Sequence, residues 1–471
     1  MKRVGTPELW KLPAIELARR YRDGSLTPLD SAQACLDRMN AVNARINAVI
    51  ARRDEAFLAD AADSTRRFGQ GAPLSSLDGI PITVKDSLYT RELPTTCGTA
   101  ALRNSKPVLD ELAWARARAG GALLLGKTNV PEFANEGYTA NPLFGATGNP
   151  WNPVLTPGGS SGGAVAAVAA GIGPLAIAQD GGGSIRRPAS HTGLVGLKPS
   201  LGAWPRQNAL PGLLLDFDCI GPLGRTVADV QLLFDAVRGG SDGDRTSLAA
   251  AHAAARPRRR DRLRVHYVEH LDGNPLDRQI AASCRAAVER LAELGHDMDE
   301  GELPLDVSFV LEAWPQIGQV GLAAMFDRHP DWEAQASPKY QDLAQAGRQV
   351  SGARVWQIAE RVRELRAECT TLFERFDVIV MPAAAALPWP ADEAYPPLID
   401  GHEVGPRGHA VYTGWVNAAG LPGLALPAAP CAAGMPIGIQ LIGPYGQDDL
   451  LLDLGAGYER AAPWVDRWPA L

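Results

Sequence analysis

A chain of 471 residues, 46% of them hydrophobic, can bury a large core, and its net charge of −7 leaves no basic footprint for nucleic acid. No apolar run of about 18 residues suggests a membrane span, and no secretory pattern follows Lys2-Arg3. The six cysteines (35, 97, 219, 284, 369, 431) lack paired spacing, which excludes a disulfide scaffold and a zinc site and points to a reduced, cytoplasmic protein that needs no metal or cofactor.

Helical apolar spacing covers residues 7–22, 28–45 and 54–68, with Thr27-Pro28 as a start signal. Residues 80–84 (IPITV) form a short buried strand that ends at Lys85. A helix over 111–118 and a strand over 122–125 follow, then a stretch rich in Pro, Gly and Asn at 141–159. Small residues at 161–170 predict a tightly packed helix, and 174–178 a buried strand. Further helices are expected at 226–238, 276–294 and 448–461, and strands at 263–269, 377–382 and 436–442. The alternation argues for an α/β fold with one mixed, mostly parallel sheet flanked by helices, read as a single domain over 1–471. The basic run at 256–264 reads as a solvated linker. Residues 300–420 carry Trp314, Trp332, Trp356, Trp389 and Trp415 with many Pro and Ala, a composition suited to shaping a largely apolar pocket on a fixed core.

The stretch at 157–200 organises the rest. It holds two glycine-flanked serines, Ser160 in GGSSGG and Ser184 in DGGGS. Glycine allows positive φ and close backbone approach, so the N–H groups of Gly181, Gly182, Gly183 and Ser184 can converge on one anion. Two other motifs fail on context. GALLLGKT (121–128) matches a phosphate loop, but its intervening residues are themselves the strand. GGSSG (158–162) matches a nucleophile elbow, but NPWNPVLTP before it cannot be a central strand. A serine nucleophile needs a base. His191 lies seven residues after Ser184 and would make a Ser-His esterase, although a structural histidine is the simpler reading. Lys85 could serve if neutral, which requires a fall of roughly 3 from its reference pKa, about 4 kcal/mol. The competing role is an ion pair with Asp86, and the residues alone leave both open. Cys97, in PTTCGT, reads as structural rather than nucleophilic.

GGSSGG followed by GGSIR resembles the amidase signature family, and the likeness extends to GIPITVKDS (79–87), GKTNVPEFA (126–134), GLVGLKPS (193–200) and GMPIGIQLIGP (434–444). The catalytic core by this likeness covers about 70–240 and the variable region about 300–420. The resemblance implies a Lys–Ser–Ser triad: Ser184 the nucleophile, Ser160 a bridging serine on a cis peptide, Lys85 the base. It implies an oxyanion hole at Gly181, Gly182, Gly183 and Ser184, hydrogen-bond support from Ser161 and Thr83, and a buried Asp180–Arg186 pair bracing the loop. Gln179 and Gly181 depart from the family pattern around Asp180; Gly181 is expected to open room beside the nucleophile for a bulkier acyl or carbamoyl group. The implied activity is hydrolysis of small amides, aryl or hydrophobic, with carbamates as an extension, by a monomer or homodimer. The alternative is the glutaminase subunit of a tRNA-dependent amidotransferase.

Overall fold

The computed structural model describes residues 8–256 and 261–471. The start of the first expected helix and part of the basic run lie outside them. One eleven-stranded sheet takes strands from both halves of the sequence. In chain order they are β1 (Val49–Arg52), β2 (Pro81–Lys85), β3 (Leu123–Thr128), β4 (Leu175–Asp180), β5 (Val195–Lys198), β6 (Cys219–Gly224), β7 (Arg264–Tyr267), β8 (Asp297–Glu300), β9 (Val378–Pro382), β10 (Gly423–Pro427) and β11 (Gly438–Ile442). Their order across the sheet is β1-β3-β2-β4-β6-β5-β10-β11-β9-β7-β8.

The sheet is mixed, as expected, but parallel pairing is confined to two trios, β3-β2-β4 and β9-β7-β8. All other pairs are antiparallel, so the parallel share is smaller than the strand–helix alternation implied. Parallel neighbours need a crossover, and within the trios helices provide it: Leu112–Ala119 between β2 and β3, Gly162–Ala169 between β3 and β4, Arg278–Glu293 between β7 and β8. The antiparallel neighbours β10 and β11 are instead joined by a loop alone.

Local chemistry fixes the helix starts. Thr27 and Asp30 form a reciprocal capping box with Pro28 in the first turn of Pro28–Ile46. Thr226 accepts from Asp229 N at the start of Val227–Val237, and Asp277 caps Arg278–Glu293. The helix expected from residue 7 begins at Ala14, after Pro13. Gly162–Ala169 is buried along its whole length, which its Gly and Ala make sterically feasible. Residues 300–420 are largely helical, with Ser308–Arg328, Pro330–Gln335, Pro338–Arg348 and Gly352–Arg375. Among the described residues no helix is long and apolar enough to cross a membrane.

Candidate active site

β2 and β4 are parallel neighbours, so their C-terminal ends open on one edge of the sheet. Lys85 closes β2 and Asp180 closes β4. The loop that enters helix Gly162–Ala169 brings Ser160 to the same place, and the turn after β4 brings Ser184. The Gly159–Ser160 peptide is cis. Lys85, Ser160 and Ser184 line one cavity.

Lys85 is buried, and its Nζ donates to Ser160 Oγ at 2.8 Å and to the Gln179 carbonyl at 3.2 Å. Ser161 Oγ donates to that same carbonyl at 3.1 Å. Burial pulls the Lys85 ammonium down to about 8, against the opposing pull of negative charge at Asp218, Cys97 and Asp180. The alternative pairing with Asp86 is not formed. Asp86 faces Lys127, with Nζ 3.5 Å from Oδ1, and accepts from Thr96 N at 3.1 Å. Lys127 is the lysine of GALLLGKT. Its Nζ donates to the Leu88 carbonyl and, at 2.7 Å, to Thr95 Oγ1, so it is a buried strand residue with no phosphate loop around it.

The glycine turn after β4 is built around the Asp180 carboxylate. Gly183 N donates to its Oδ1 at 2.6 Å, and Gly183 needs its positive φ of 112° to do so. That bond corrects the expected oxyanion hole: the Gly183 N–H is already engaged by Asp180. The N–H groups of Gly181, Gly182 and Ser184 have no protein acceptor among the described residues. Asp180 also receives Arg186 in bidentate fashion, Nε to Oδ2 at 3.1 Å and Nη2 to Oδ1 at 3.0 Å, with both side chains fully buried. Burial alone would raise the Asp180 carboxyl, but the Arg186 guanidinium holds it well below the usual carboxylate range. Removing one partner of such a pair strands a buried charge. Asp180→Ala is therefore expected to cost about 3–5 kcal/mol, read as a lowered urea midpoint; a shift under about 1 kcal/mol would refute the bracing role.

Several expected roles need correction. Thr83 is buried in β2, but its Oγ1 has no hydrogen-bond partner among the described residues. The room expected beside Gly181 is occupied: a Cβ there would lie 2.3 Å from Asp218 Oδ1 and 2.6 Å from Leu214 Cδ1. Of the five tryptophans, only Trp314 and Trp332 line the cavity, while Trp356 is 65% exposed. The cavity is also less apolar than expected. Beside Phe133, Leu213 and Met325 stand Arg187, Arg206, Asp218 and Arg407. His191 is buried away from this lining; its Nε2 donates to the Ala386 carbonyl at 3.1 Å, and burial holds its pKa at about 4. Cys97 does line the cavity, but burial pushes its thiol up to about 12, which leaves no thiolate near neutrality. The described residues contain no cluster of His, Cys, Asp and Glu suited to a metal ion.

Four further residues hold the site together. Asn417 Nδ2 donates to the Asp180 carbonyl at 2.8 Å, and Gln440 Oε1 accepts from Arg186 Nη1 at 3.0 Å. Arg187 donates to the carbonyls of Gly182 and Gly159, which ties the two serine loops to each other, and Thr413 Oγ1 donates to the Gly182 carbonyl at 2.8 Å. The available signal was a single polar side chain in an apolar run, Asn417 in GWVNAAG and Gln440 in GIQLIG.

Known proteins resemble this chain over nearly its whole length. A family model described as Amidase matches residues 30–452. An acylamidase of Rhodococcus erythropolis is 33% identical, the match covering 98% of this chain and 97% of that protein. A glutamyl-tRNA(Gln) amidotransferase subunit from a Cyanothece species is also 33% identical, over 93% of this chain and 95% of the relative. The solved structure of a bacterial aryl acylamidase of the amidase signature enzymes superposes with a TM-score of 0.87 at 27% identity, covering 98% of both chains.

Proposed function

The chain belongs to the amidase family and is an amide-cleaving hydrolase, and on that premise we propose that it cleaves aryl or hydrophobic amides through an acyl-enzyme on Ser184. The observation that carries this reading is the 2.8 Å contact of Lys85 Nζ with Ser160 Oγ in the cavity that Ser184 lines. With Lys85 neutral, Ser160 passes its proton to Nζ and takes the proton of Ser184 Oγ as that oxygen attacks the carbonyl carbon. The carbonyl π pair moves to oxygen, and the N–H groups of Gly181, Gly182 and Ser184 receive the oxyanion. Collapse breaks the C–N bond, and the proton returns through Ser160 to the leaving nitrogen. Water then attacks the ester by the same relay in reverse order, freeing the acid and Ser184.

The walls favour an aromatic or aliphatic group: Trp314, Trp332, Phe133, Leu213 and Met325 present flat and apolar surface. Carbamates have the same carbonyl and a better-shielded carbon. Their extra room was expected at Gly181, where Asp218 and Leu214 stand, so amides come first. The likeness to the Cyanothece protein favours a second reading, a glutaminase acting with a partner. The deciding measurement is kcat/KM on an acyl anilide, a matched aryl carbamate and free glutamine, taken for the protein alone and again with the other subunits of a tRNA-dependent amidotransferase. The anilide is expected to be turned over fastest, with the carbamate at least tenfold behind. Turnover of glutamine with both aryl substrates untouched would overturn the proposal.

A further inference from the structure

We propose that Arg407 forms a carboxylate-binding subsite in the candidate active-site cavity, so that the preferred amide carries an anionic group a short spacer away from the scissile carbonyl. The inference deepens the amidase reading and rests on it. Arg407 lines the cavity together with Ser184 and Trp314. Its guanidinium stacks on the Trp314 ring, 5.2 Å from the centroid. Trp314 in turn packs on the oxyanion turn: a Cβ on Gly182 would lie 2.5 Å from its Cζ2. The cation is therefore one indole away from the turn that would hold the oxyanion.

What distinguishes Arg407 is its lack of an acceptor. The other cavity arginines are employed. Arg206 pairs with Glu111 at 3.2 Å, and Arg187 donates to the Gly182 and Gly159 carbonyls. Among the described residues Arg407 has no carboxylate within ion-pair distance, its Nε is buried without a partner, and its guanidinium donates to no protein oxygen. The nearest acid that bears on it, Glu136, is engaged by Lys339 and accepts from the Tyr340 hydroxyl at 3.4 Å. Arg407 also bears on Arg187 as a like charge, so two cations share this side of the cavity. The Arg407 side chain is partly exposed, only its Nε is shut off from solvent without a partner, and a bidentate carboxylate is the ligand whose geometry matches its planar fork. A neutral carbonyl would satisfy at most part of the fork and none of the charge.

Two matched pairs of anilides test the subsite. One places the carboxylate on the acyl side, glutaryl against pentanoyl para-nitroanilide. The other places it on the leaving side, para-acetamidobenzoate against acetanilide. In one of the two pairs the wild-type enzyme is expected to favour the anionic member by at least about tenfold in kcat/KM, mainly through KM. Arg407→Gln should lower that ratio by about 10–100-fold, the worth of one charge-assisted bidentate contact. Arg407→Lys, which keeps the charge and loses the fork, should fall between. Thermal melts of both variants check that the fold is kept. Preference for the neutral member in both pairs, or an equal loss on both members in Arg407→Gln, overturns the subsite. If no anilide is cleaved, the amidase substrate reading has failed separately. Calorimetry with glutaranilic acid then decides: binding to wild type that Arg407→Gln abolishes supports the subsite, and binding lost in neither or found in neither refutes it.

Discussion

Ser184→Ala is expected to lower kcat by up to about a millionfold, with the melting temperature close to wild type. Three features of the site lead there. Ser184 is half-buried and lines the cavity, whereas Ser160 is buried with its Oγ already bonded to Lys85 Nζ. The Ser184 N–H belongs to the donors left free after Gly183 has bonded Asp180. Of the other nucleophiles in the lining, Ser87 donates its hydroxyl to Gln179 Oε1 at 2.8 Å, and Cys97 has its thiol pushed up to about 12 and is protonated at every pH where the enzyme would work. A fluorophosphonate should consequently attach to Ser184 alone, as its oxygen displaces fluoride. Peptide mass mapping that finds the adduct on Ser160 or Cys97, or a Ser184→Ala variant that keeps more than about a hundredth of wild-type turnover, would reassign the nucleophile. Ser160→Ala should also be impaired, but its Ser184 remains open to the reagent, and slow labelling would distinguish a relay residue from the nucleophile.

The parts of the fold that were legible are those where local chemistry and tertiary demand agree. Thr27-Pro28 announces a helix because the threonine side chain and the proline ring both favour a first turn, and the helix starts there. Lys85 could be placed at a strand end because IPITV is short, apolar and β-branched. The strand CIGPLG escaped because proline is a poor guest in a central strand. It is tolerated in β6 because the ladder to β5 runs only through Leu223 and Gly224, which leaves Pro222 paired on the β4 side alone. The helices between residues 308 and 375 escaped for a related reason. Their prolines look like breaks, yet Pro330 and Pro338 sit in first turns where no N–H is missed, and only Pro315 lies inside a helix. At the site itself, the serines and lysine could be found by motif, whereas their supports could not. Asn417 and Gln440 are more than two hundred residues from the Asp180–Arg186 pair they brace, and no spacing rule connects them. Gly181 misled for the opposite reason: a missing side chain suggests space, but packing density fills such space, here with Asp218 and Leu214.

Lys85→Ala should cost several orders of magnitude in kcat/KM, and the wild-type pH profile should show why. Lys85 must be neutral to accept the proton that leaves Ser160. Its ammonium, lowered by burial to about 8, is the charged form, so activity is absent at low pH and grows as the proton is lost. With slope one below that value, kcat/KM at pH 7 should be about a tenth of its plateau and at pH 6 about a hundredth. The plateau should be reached above about pH 9. His191 supplies the control. Buried, bonded to the Ala386 carbonyl and held at about 4, it is neutral across this whole range and can contribute no acid limb near 8. His191→Phe should therefore keep the limb at the same pH even if packing against Trp389 lowers stability. A limb near 4, or a limb that disappears in His191→Phe while Lys85→Ala stays active, would move the base from lysine to histidine. Weakening the opposing negative charge gives a second handle on the same group. Asp218→Asn removes a charge that favours the ammonium, so the limb should move to lower pH and the fraction active at pH 7 should rise. A limb that stays fixed, or moves upward, would mean that the titrating group is not Lys85.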